Sequence, residues 1–567
     1  MNIIKSVCLI TMLLLPVCTT VLHAQWVDGG LFLNDTLQGL PCFEWPRVAP
    51  DNNGGAYIVW QDTFVRPRNV YLQRIDRDGF ICWPHGGIRL SADDPGGISQ
   101  IYPQIRSYKQ YVFIVWERFP YLQAQKVDTA GNKLWGPAGV VVNTKLAGIT
   151  HSIALDSCGG LFVAAYGDQP DSWYTPVWIQ RLDSAGTRLW SDTGIVLTNR
   201  SLEGPRQWYQ IRTICSPMPG RPYVTWIERS SPTAAMDRQT YMQKLDEEGN
   251  ILWAPNGIPL SDTDSDSLWP RENLLLIEDG HGGTFTFWSH DYQFVQHVDS
   301  NGIRMLGPEG KSLFNGNTRD VLPDRNGGFI MNYLEEDPPN QTSYPMAQRF
   351  SPTVTELWNS GGVRIVRNPL LVRSERRECD MTSDGSGGCF IVLLSKGEGN
   401  VWSQWIDSTG RLRYGIEGYQ ITPRHDKPAK FHIEVENTAP GEAIVAWYDS
   451  RVWCGRIACS KLTRDGVVSI HSLTSPKEPG LSVGVLFPQP SNGSATIVGD
   501  APEAGLLSFV LYDVLGRSIG IMYEASTEPG GFRIPITTSH LATGTYYLHA
   551  ALGPHTNVVP LIVTAPQ

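Results

Sequence analysis

Basic residues are the minority in this 567-residue chain, with 46 Lys and Arg against 56 Asp and Glu. That balance gives no reason to expect DNA, RNA or anionic lipid as a partner. Beyond residue 24 no stretch holds the roughly 18 apolar residues that a membrane span needs, so no membrane span is expected. No long segment repeats its apolar residues every 3.6 positions, which argues against helices and for an all-β chain. The ten cysteines include no Cys-x-x-Cys pair and have no His cluster beside them, so zinc is a poor reading. A Gly-x-Ser-x-Gly elbow, a His-Glu-x-x-His helix and a Cys–His pairing are all missing. No nucleophilic or zinc catalysis is therefore indicated, and no cofactor or metal is called for.

What the chain does have is repetition. A Gln, an Asp-x-x-Gly turn, a Trp and a Gly recur as Gln73, Asp76, Gly79, Trp83 and Gly87, then as Gln125, Asp128, Gly131, Trp135 and Gly139. Further copies run from Gln180 to Gly194 and from Gln243 to Gly257. Weaker ones stand at Asp299–Gly302, Ser351–Trp358, Asp407–Gly410 and Thr463–Gly466. Seven intervals cover the 387 residues from Asp76 to Thr463, a period of about 55. A period near 50 built of short strands and turn residues predicts β-propeller blades. Ahead of each Asp-x-x-Gly lies a second block, as in Asp51-Asn-Asn-Gly54-Gly55 running to Trp60. Asp bonds its own backbone and Gly supplies positive φ, so this block is a turn leading into a strand buried on both faces. Each repeat thus reads as four strands.

The ends of the array imply closure. The eighth copy stops after Gly466-Val-Val-Ser-Ile470 and lacks the strand that follows Trp elsewhere, while Trp26 to Asn34 has the form of that strand. The expectation is an eight-bladed β-propeller over 25–470, closed by its N-terminal strand so that two sheet edges disappear.

Residues 1–24 read as a secretory signal, with Lys5 ahead of apolar Val7–Leu15 and the small residue Ala24 for cleavage. In an exported chain the eight later cysteines permit disulfides. Cys379 and Cys389, on the first two strands of the seventh repeat, form the candidate pair.

After Ile470 the pattern changes. A Ser, Pro and Lys linker, 471–480, precedes a different β-module, 481–567. Its motifs are Phe487-Pro488-Gln489-Pro490, Leu511-Tyr512-Asp513-Val514-Leu515-Gly516-Arg517, Leu541-Ala542-Thr543-Gly544-Thr545-Tyr546-Tyr547 and a last strand, Val559–Val563. This module resembles the C-terminal sorting domain of the type IX (Por) secretion system of Bacteroidetes-type bacteria. The resemblance implies a seven-stranded Ig-like sandwich, read by the outer-membrane translocon and then cut off by a sortase-like peptidase. The residues carrying it are Pro488, Pro490, Tyr512, Asp513, Gly516, Arg517, Leu541, Gly544 and Tyr546. Gln489 departs from the family's usual Asn, and Asn557 and Val558 stand where a Lys often precedes the last strand. The repeats themselves are similar to a Trp-x-Asp-x-Arg / Gln-Arg-x-Asp-x-x-Gly-x-x-x-Trp array of secreted bacterial proteins, best seen in Trp447–Arg451 and Gln180–Trp190. That array carries no defined activity.

The Asp-Gly turns share one face of a propeller and the variable loops share the other, where binding is usually built. Trp173, Tyr174, Arg206, Trp208, Trp269 and Arg271 lie on neighbouring variable loops and suit sugar rings or an extended peptide. The plainer reading is that they cover strand ends. Acids follow the second-strand aromatics at Asp62, Asp168, Glu228, Glu335 and Asp449. Paired carboxylates would serve glycoside hydrolysis, but Arg66, Arg229 and Arg451 nearby favour scaffold ion pairs. Asp262, Asp264 and Asp266 alternate like a calcium loop, yet no Gly holds its sixth position and Asn273 takes its twelfth. The expectation is a secreted or surface-held, non-catalytic propeller that binds a glycan or protein. A polysaccharide hydrolase or lyase using Asp168, Glu228 or Glu335 is the alternative.

Overall fold

The structure, a computed structural model, describes residues 26, 30–33, 43–62, 67–84, 86–91, 97–145, 149–167, 176–198, 211–215, 221–229, 238–262, 274–289, 292–314, 316–337, 342–367, 379–395, 400–422, 430–449, 456–468, 481–483, 491, 493–501, 503–514, 516–528, 530–553 and 555–564. Among them every regular element is a strand. The chain divides into two compact units, 1–470 and 471–567.

The first unit holds eight antiparallel sheets. Seven have four strands in chain order, their first strands being Phe43–Pro50, Gln100–Tyr108, Ile149–Asp156, Ile211–Cys215, Leu275–Glu278, Gly316–Pro323 and Cys379–Ser383. The eighth comprises Lys430–Ala439, Glu442–Asp449, Arg456–Thr463 and Gly466–Val468, and Arg456–Thr463 also pairs with Leu31–Phe32. The first strand of each sheet touches the first strand of the next, and that of the eighth touches that of the first. Consecutive sheets share apolar cores in the same cyclic order. The core between sheets eight and one combines Trp26, Leu33, Val48, Ile58 and Trp60 with Ile444, Ala446 and Ile457.

The repeated residues explain themselves locally. Gln180 is fully buried. Its Nε2 donates to the carbonyls of Trp190 and Ser191, and its Oε1 accepts the Trp190 N–H. Gln73, Gln125, Gln243, Gln348 and Gln404 clip the following turn in the same way. The second Gly of the Gly-Gly turn has no room for a side chain, since a Cβ on Gly328 would lie 2.0 Å from the Phe350 carbonyl oxygen. The turn aspartates hold the third strand of their own sheet through Arg74–Asp51, Arg181–Asp156 and Arg349–Asp324.

The expected Cys379–Cys389 disulfide is not formed, and the Cys379 sulfur instead accepts a hydrogen bond from the Asn332 side chain at 3.0 Å. The hairpin register sets Cys379 opposite Leu393 and Cys389 opposite Ser383, so the two sit four residues out of step. At about 3.4 Å per residue that offset exceeds disulfide reach.

In the second unit, a three-stranded sheet (Ser482–Val483, Ser494–Ala501, Gly530–Thr537) and a four-stranded sheet (Ser518–Thr527, Gly505–Asp513, Gly544–Leu552, His555–Val563) close over one core. Ile497 and Ile534 from the first meet Phe509, Leu548 and Leu561 from the second.

Trp26 sits at the sheet eight–one junction as Trp135 sits at the junction of sheets two and three. Truncating either indole should therefore cost on the order of 3–5 kcal/mol. Denaturant unfolding of Trp26→Ala and Trp135→Ala checks this, and a neutral Trp26→Ala would show the N-terminal segment to be incidental.

Candidate functional site: a charged axis with an aromatic mouth

The first strands of the eight sheets line a common axis. Four residues before the turn aspartates of sheets one, six and seven stand Arg47, Asp320 and Asp380. Register puts Glu434 at the same level on sheet eight, since Arg47 pairs with Val59 and Glu434 with Ala446 on the corresponding second strands. Arg106 and Glu436 lie one pleat further along their strands. Two-residue alternation keeps each on one face of its sheet.

These side chains meet across sheets that are not neighbours. Asp380 of sheet seven interacts with Arg47 of sheet one, and Glu436 of sheet eight with Arg106 of sheet two. Only a shared axis permits that. Arg47 pairs with Glu434. The carboxyls of Asp320 and Asp380 are in hydrogen-bond contact with each other. Asp380 also accepts the Val435 N–H at 2.6 Å, and Asp320 accepts the Val321 N–H at 2.8 Å. Enclosure by protein raises the pKa of both aspartates, and their mutual repulsion adds to the effect on Asp320. Two carboxyls so placed disfavour ionising together. Glu436 is pushed up to about 7, chiefly by burial, against the attraction of Arg106.

Two residues before Arg47, at the end of the strand nearest the preceding inter-sheet loop, the backbone is strained. Trp45, Tyr102, Thr150 and His432 adopt φ of 63°, 55°, 47° and 54°. Each lies where the first strand of its sheet slips register against the second. β-Bulges re-aim side chains and are common beside functional sites. Here they bring rings from sheets eight, one and two together. Trp45 lies 4.2 Å from the His432 ring and 5.6 Å, edge to face, from Tyr102. Tyr102 remains 43% exposed. The bulges are anchored from the preceding sheet, with Gln61 Oε1 accepting the Tyr102 N–H and Glu117 Oε1 accepting the Thr150 N–H.

Trp173, Tyr174, Arg206, Trp208, Trp269 and Arg271 lie outside the described residues, as do Asp168, Ala24, Pro488 and Pro490. Of the other acids after second-strand aromatics, Asp62 is held by the backbone N–H and the side chain of Asn69. Glu228 is buried and accepts the Trp226 indole. Asp262 pairs with Arg304. In the second unit Asp513 accepts the Arg517 N–H and ion-pairs its guanidinium at 2.7 Å around Gly516, whose φ is 76°. Tyr546 donates to the Ala542 carbonyl, and Leu541 packs on the core. Gly544 pairs with Val563 on the last strand, and Tyr512 with Tyr547. The axial charges were missed by sequence reading. The available signal was a charged residue four places before a turn Asp, inside an otherwise apolar strand.

Among the described residues no group of three or more His, Cys, Asp or Glu is arranged to hold a metal ion, and no helix is long and apolar enough to cross a membrane. No protein-family model and no curated protein matches the chain. Among solved structures it is similar to a puromycin hydrolase at 14% identity and TM-score 0.37, over 72% of this chain and 61% of that one. It is similar to prolyl oligopeptidase B from Galerina marginata at 10% and 0.40, over 75% and 56%. PorZ, a surface component of the type-IX secretion system of Porphyromonas gingivalis, matches at 12% and 0.25, over 91% and 81%. The chain thus spans 61% and 56% of the hydrolase and oligopeptidase lengths. The fold rests on the strand pairing, not on these likenesses.

A carboxyl whose folded pKa lies above its unfolded value takes up protons on folding, so stability falls as pH rises between the two. For Glu436 that window runs from its ordinary 4.5 to about 7. The melting temperature of Glu436→Gln should therefore gain on the parent chain across that window and level off above it. Parallel melting curves from pH 4.5 to 8 would contradict the placement of Glu436 on the axis.

Proposed function

We propose that the chain is an exported, non-catalytic binding protein. Its eight sheets are the blades of one propeller, and its C-terminal unit is an Ig-like sorting sandwich that addresses the propeller to the type IX translocon and a sortase-like peptidase. The mature protein is then secreted or held at the outer-membrane surface. The ligand, a glycan or a protein, is taken on the variable-loop face.

The observation that carries the binding reading is the strained aromatic mouth. Trp45, Tyr102 and His432 are gathered beside a charged axis at the ends of strands that receive the inter-sheet loops. Stacking rings next to carboxylates and guanidiniums suit a sugar or a peptide. A glycoside hydrolase would need carboxyls roughly 5–9.5 Å apart. Asp320 and Asp380 touch, which favours binding over turnover.

Screening the purified chain on glycan arrays and peptide libraries should give ligands whose affinity falls at least tenfold in Trp45→Ala and Tyr102→Ala. Ligands unaffected by both changes would move the site elsewhere, and turnover of a polysaccharide lost in Asp380→Asn would overturn the non-catalytic reading. Export has its own test. The last strand pairs along the whole of Gly544–Leu552, so deleting 557–567 opens the sandwich. The truncated chain should stay in the periplasm, whereas fusion of 471–567 should carry an inert reporter outside. Efficient release of the truncated chain would refute the sorting role.

A further inference from the structure

Two residues after each Asp-x-x-Gly turn the chain makes a bridge back to the end of its third strand, and the residue there faces the preceding sheet. The series runs Ile81, Lys133, Arg188, Ile251, Arg304, Glu356 and Leu412. On sheets two, three and five it is a cation that spans the joint. Lys133 donates to the carbonyls of Leu90, on the fourth strand side of sheet one, and of Pro137 in its own hairpin. Arg188 reaches the Val141 carbonyl of sheet two and pairs with Asp192 of its own hairpin. Arg304 reaches Asp262, past the fourth strand of sheet four, and the Pro308 carbonyl of its own hairpin. Ile81 and Leu412 instead pack on the apolar cores shared with the preceding sheet.

Sheet six breaks the series with an acid. Glu356 cannot donate across the joint, and its carboxylate turns back to accept the Gly361 N–H at 3.0 Å. Leu313 of sheet five holds the place of Leu90, each N–H donating to the first residues of its third-strand segment, yet its carbonyl receives no donor among the described residues. The space that a Lys or Arg bridges elsewhere is here a hollow of about 520 Å³. Its floor of Phe350, Val354 and Trp358 is apolar and buried, and its rim carries Glu356, Lys311 and Ser360. Lys311 is tethered to the Val354 carbonyl at 2.6 Å. A volume in the range of roughly 300–1,000 Å³ with an apolar floor and a few polar groups is that of a small-molecule site.

We propose that this hollow is a second binding site and that it takes a neutral sugar unit. Sugar hydroxyls both donate and accept, so they serve the Glu356 carboxylate and the Leu313 carbonyl as acceptors and the Lys311 ammonium and Ser360 hydroxyl as donors. The C–H face of the ring covers Val354 and the edges of Phe350 and Trp358. An ammonium or guanidinium would repeat the bridge of Lys133 and Arg188 but would meet Lys311 at the rim. The site lies at the end of the sheets that carries the Asp-Gly turns, away from Trp45 and Tyr102, and is independent of the aromatic mouth.

The test is saturation-transfer NMR of the full chain with glucose, galactose, mannose, N-acetylglucosamine, maltose and cellobiose, with agmatine as the cationic probe. The expected result is transfer to at least one sugar, with an affinity that Trp45→Ala leaves unchanged and that falls at least tenfold in Glu356→Arg. That arginine refills the hollow as Arg188 and Arg304 fill their own joints. Should Glu356→Arg impair folding, judged by circular dichroism, Glu356→Ala serves, since it removes an exposed side chain bonded within its own hairpin. Sugar affinity equal in parent and Glu356 variant would overturn the inference. So would transfer to none of the six sugars, or agmatine bound more tightly than all of them. Sugar binding lost in Trp45→Ala and kept in the Glu356 variant would move the sugar to the mouth, which overturns the second site and leaves the earlier reading standing.

Discussion

The first unit depends on one contact made again and again between sheets. The backbone carbonyl just after a turn Asp accepts hydrogen bonds from the preceding sheet. Thr129 receives Arg74 and the Trp83 indole, Ser184 receives Lys126 and Trp135, and Ser408 receives Arg349 and Trp358. Arg181 reaches Glu247 and Lys244 reaches Ser300 in the same manner. The same contact joins the two ends, because the Arg77 carbonyl receives Lys461 from sheet eight and the Trp26 indole from the N-terminal segment. The indoles of Trp83, Trp135, Trp190, Trp253 and Trp358 also lie over the turn Gly of the next sheet, where a Cβ would come within about 3 Å of the ring, as at Gly186 beside Trp135. Trp and Gly are therefore two halves of one joint, carried by different repeats.

That pairing accounts for the weak copies. Sheet five has Leu306 where others have Trp, and the turn it meets on sheet six has Val354 where others have Gly, at φ 60°. Both halves changed together. Leu306 and Val354 pack in one apolar cluster, Lys311 donates to the Val354 carbonyl, and a hollow of about 520 Å³ lined by Lys311, Val354 and Trp358 opens there. At the junction of sheets seven and eight, Tyr414 replaces Trp and reaches the Thr463 carbonyl with its hydroxyl.

The four-stranded sheets were legible because Gln, Asp-x-x-Gly and Trp act within a repeat or on its neighbour, so their spacing survives in one dimension. The pairing of Leu31–Phe32 with the eighth sheet was legible for the same reason, as the missing piece of the last copy. The axis was not. Arg47, Arg106, Asp320, Asp380, Glu434 and Glu436 are spread over some 390 positions and meet only once the sheets go full circle. The bulges at Trp45, Tyr102 and His432 carry no shared residue type, because what repeats there is a backbone conformation. The disulfide expectation failed on register, which adjacency of two strands does not fix.

The aromatic mouth and the junction made by the N-terminal segment lie on the same sheets. Sheets eight, one and two supply the aromatic mouth and four of the six axial charges, and Trp26 and Lys461 join sheet eight to sheet one. Hydrogen–deuterium exchange on the chain with residues 25–34 removed tests this account most directly. The amides of Arg456–Thr463 and of the Asp76 turn should lose protection together, ahead of sheets three and four. Unchanged protection along Arg456–Thr463 would contradict a closure made by the N-terminal segment.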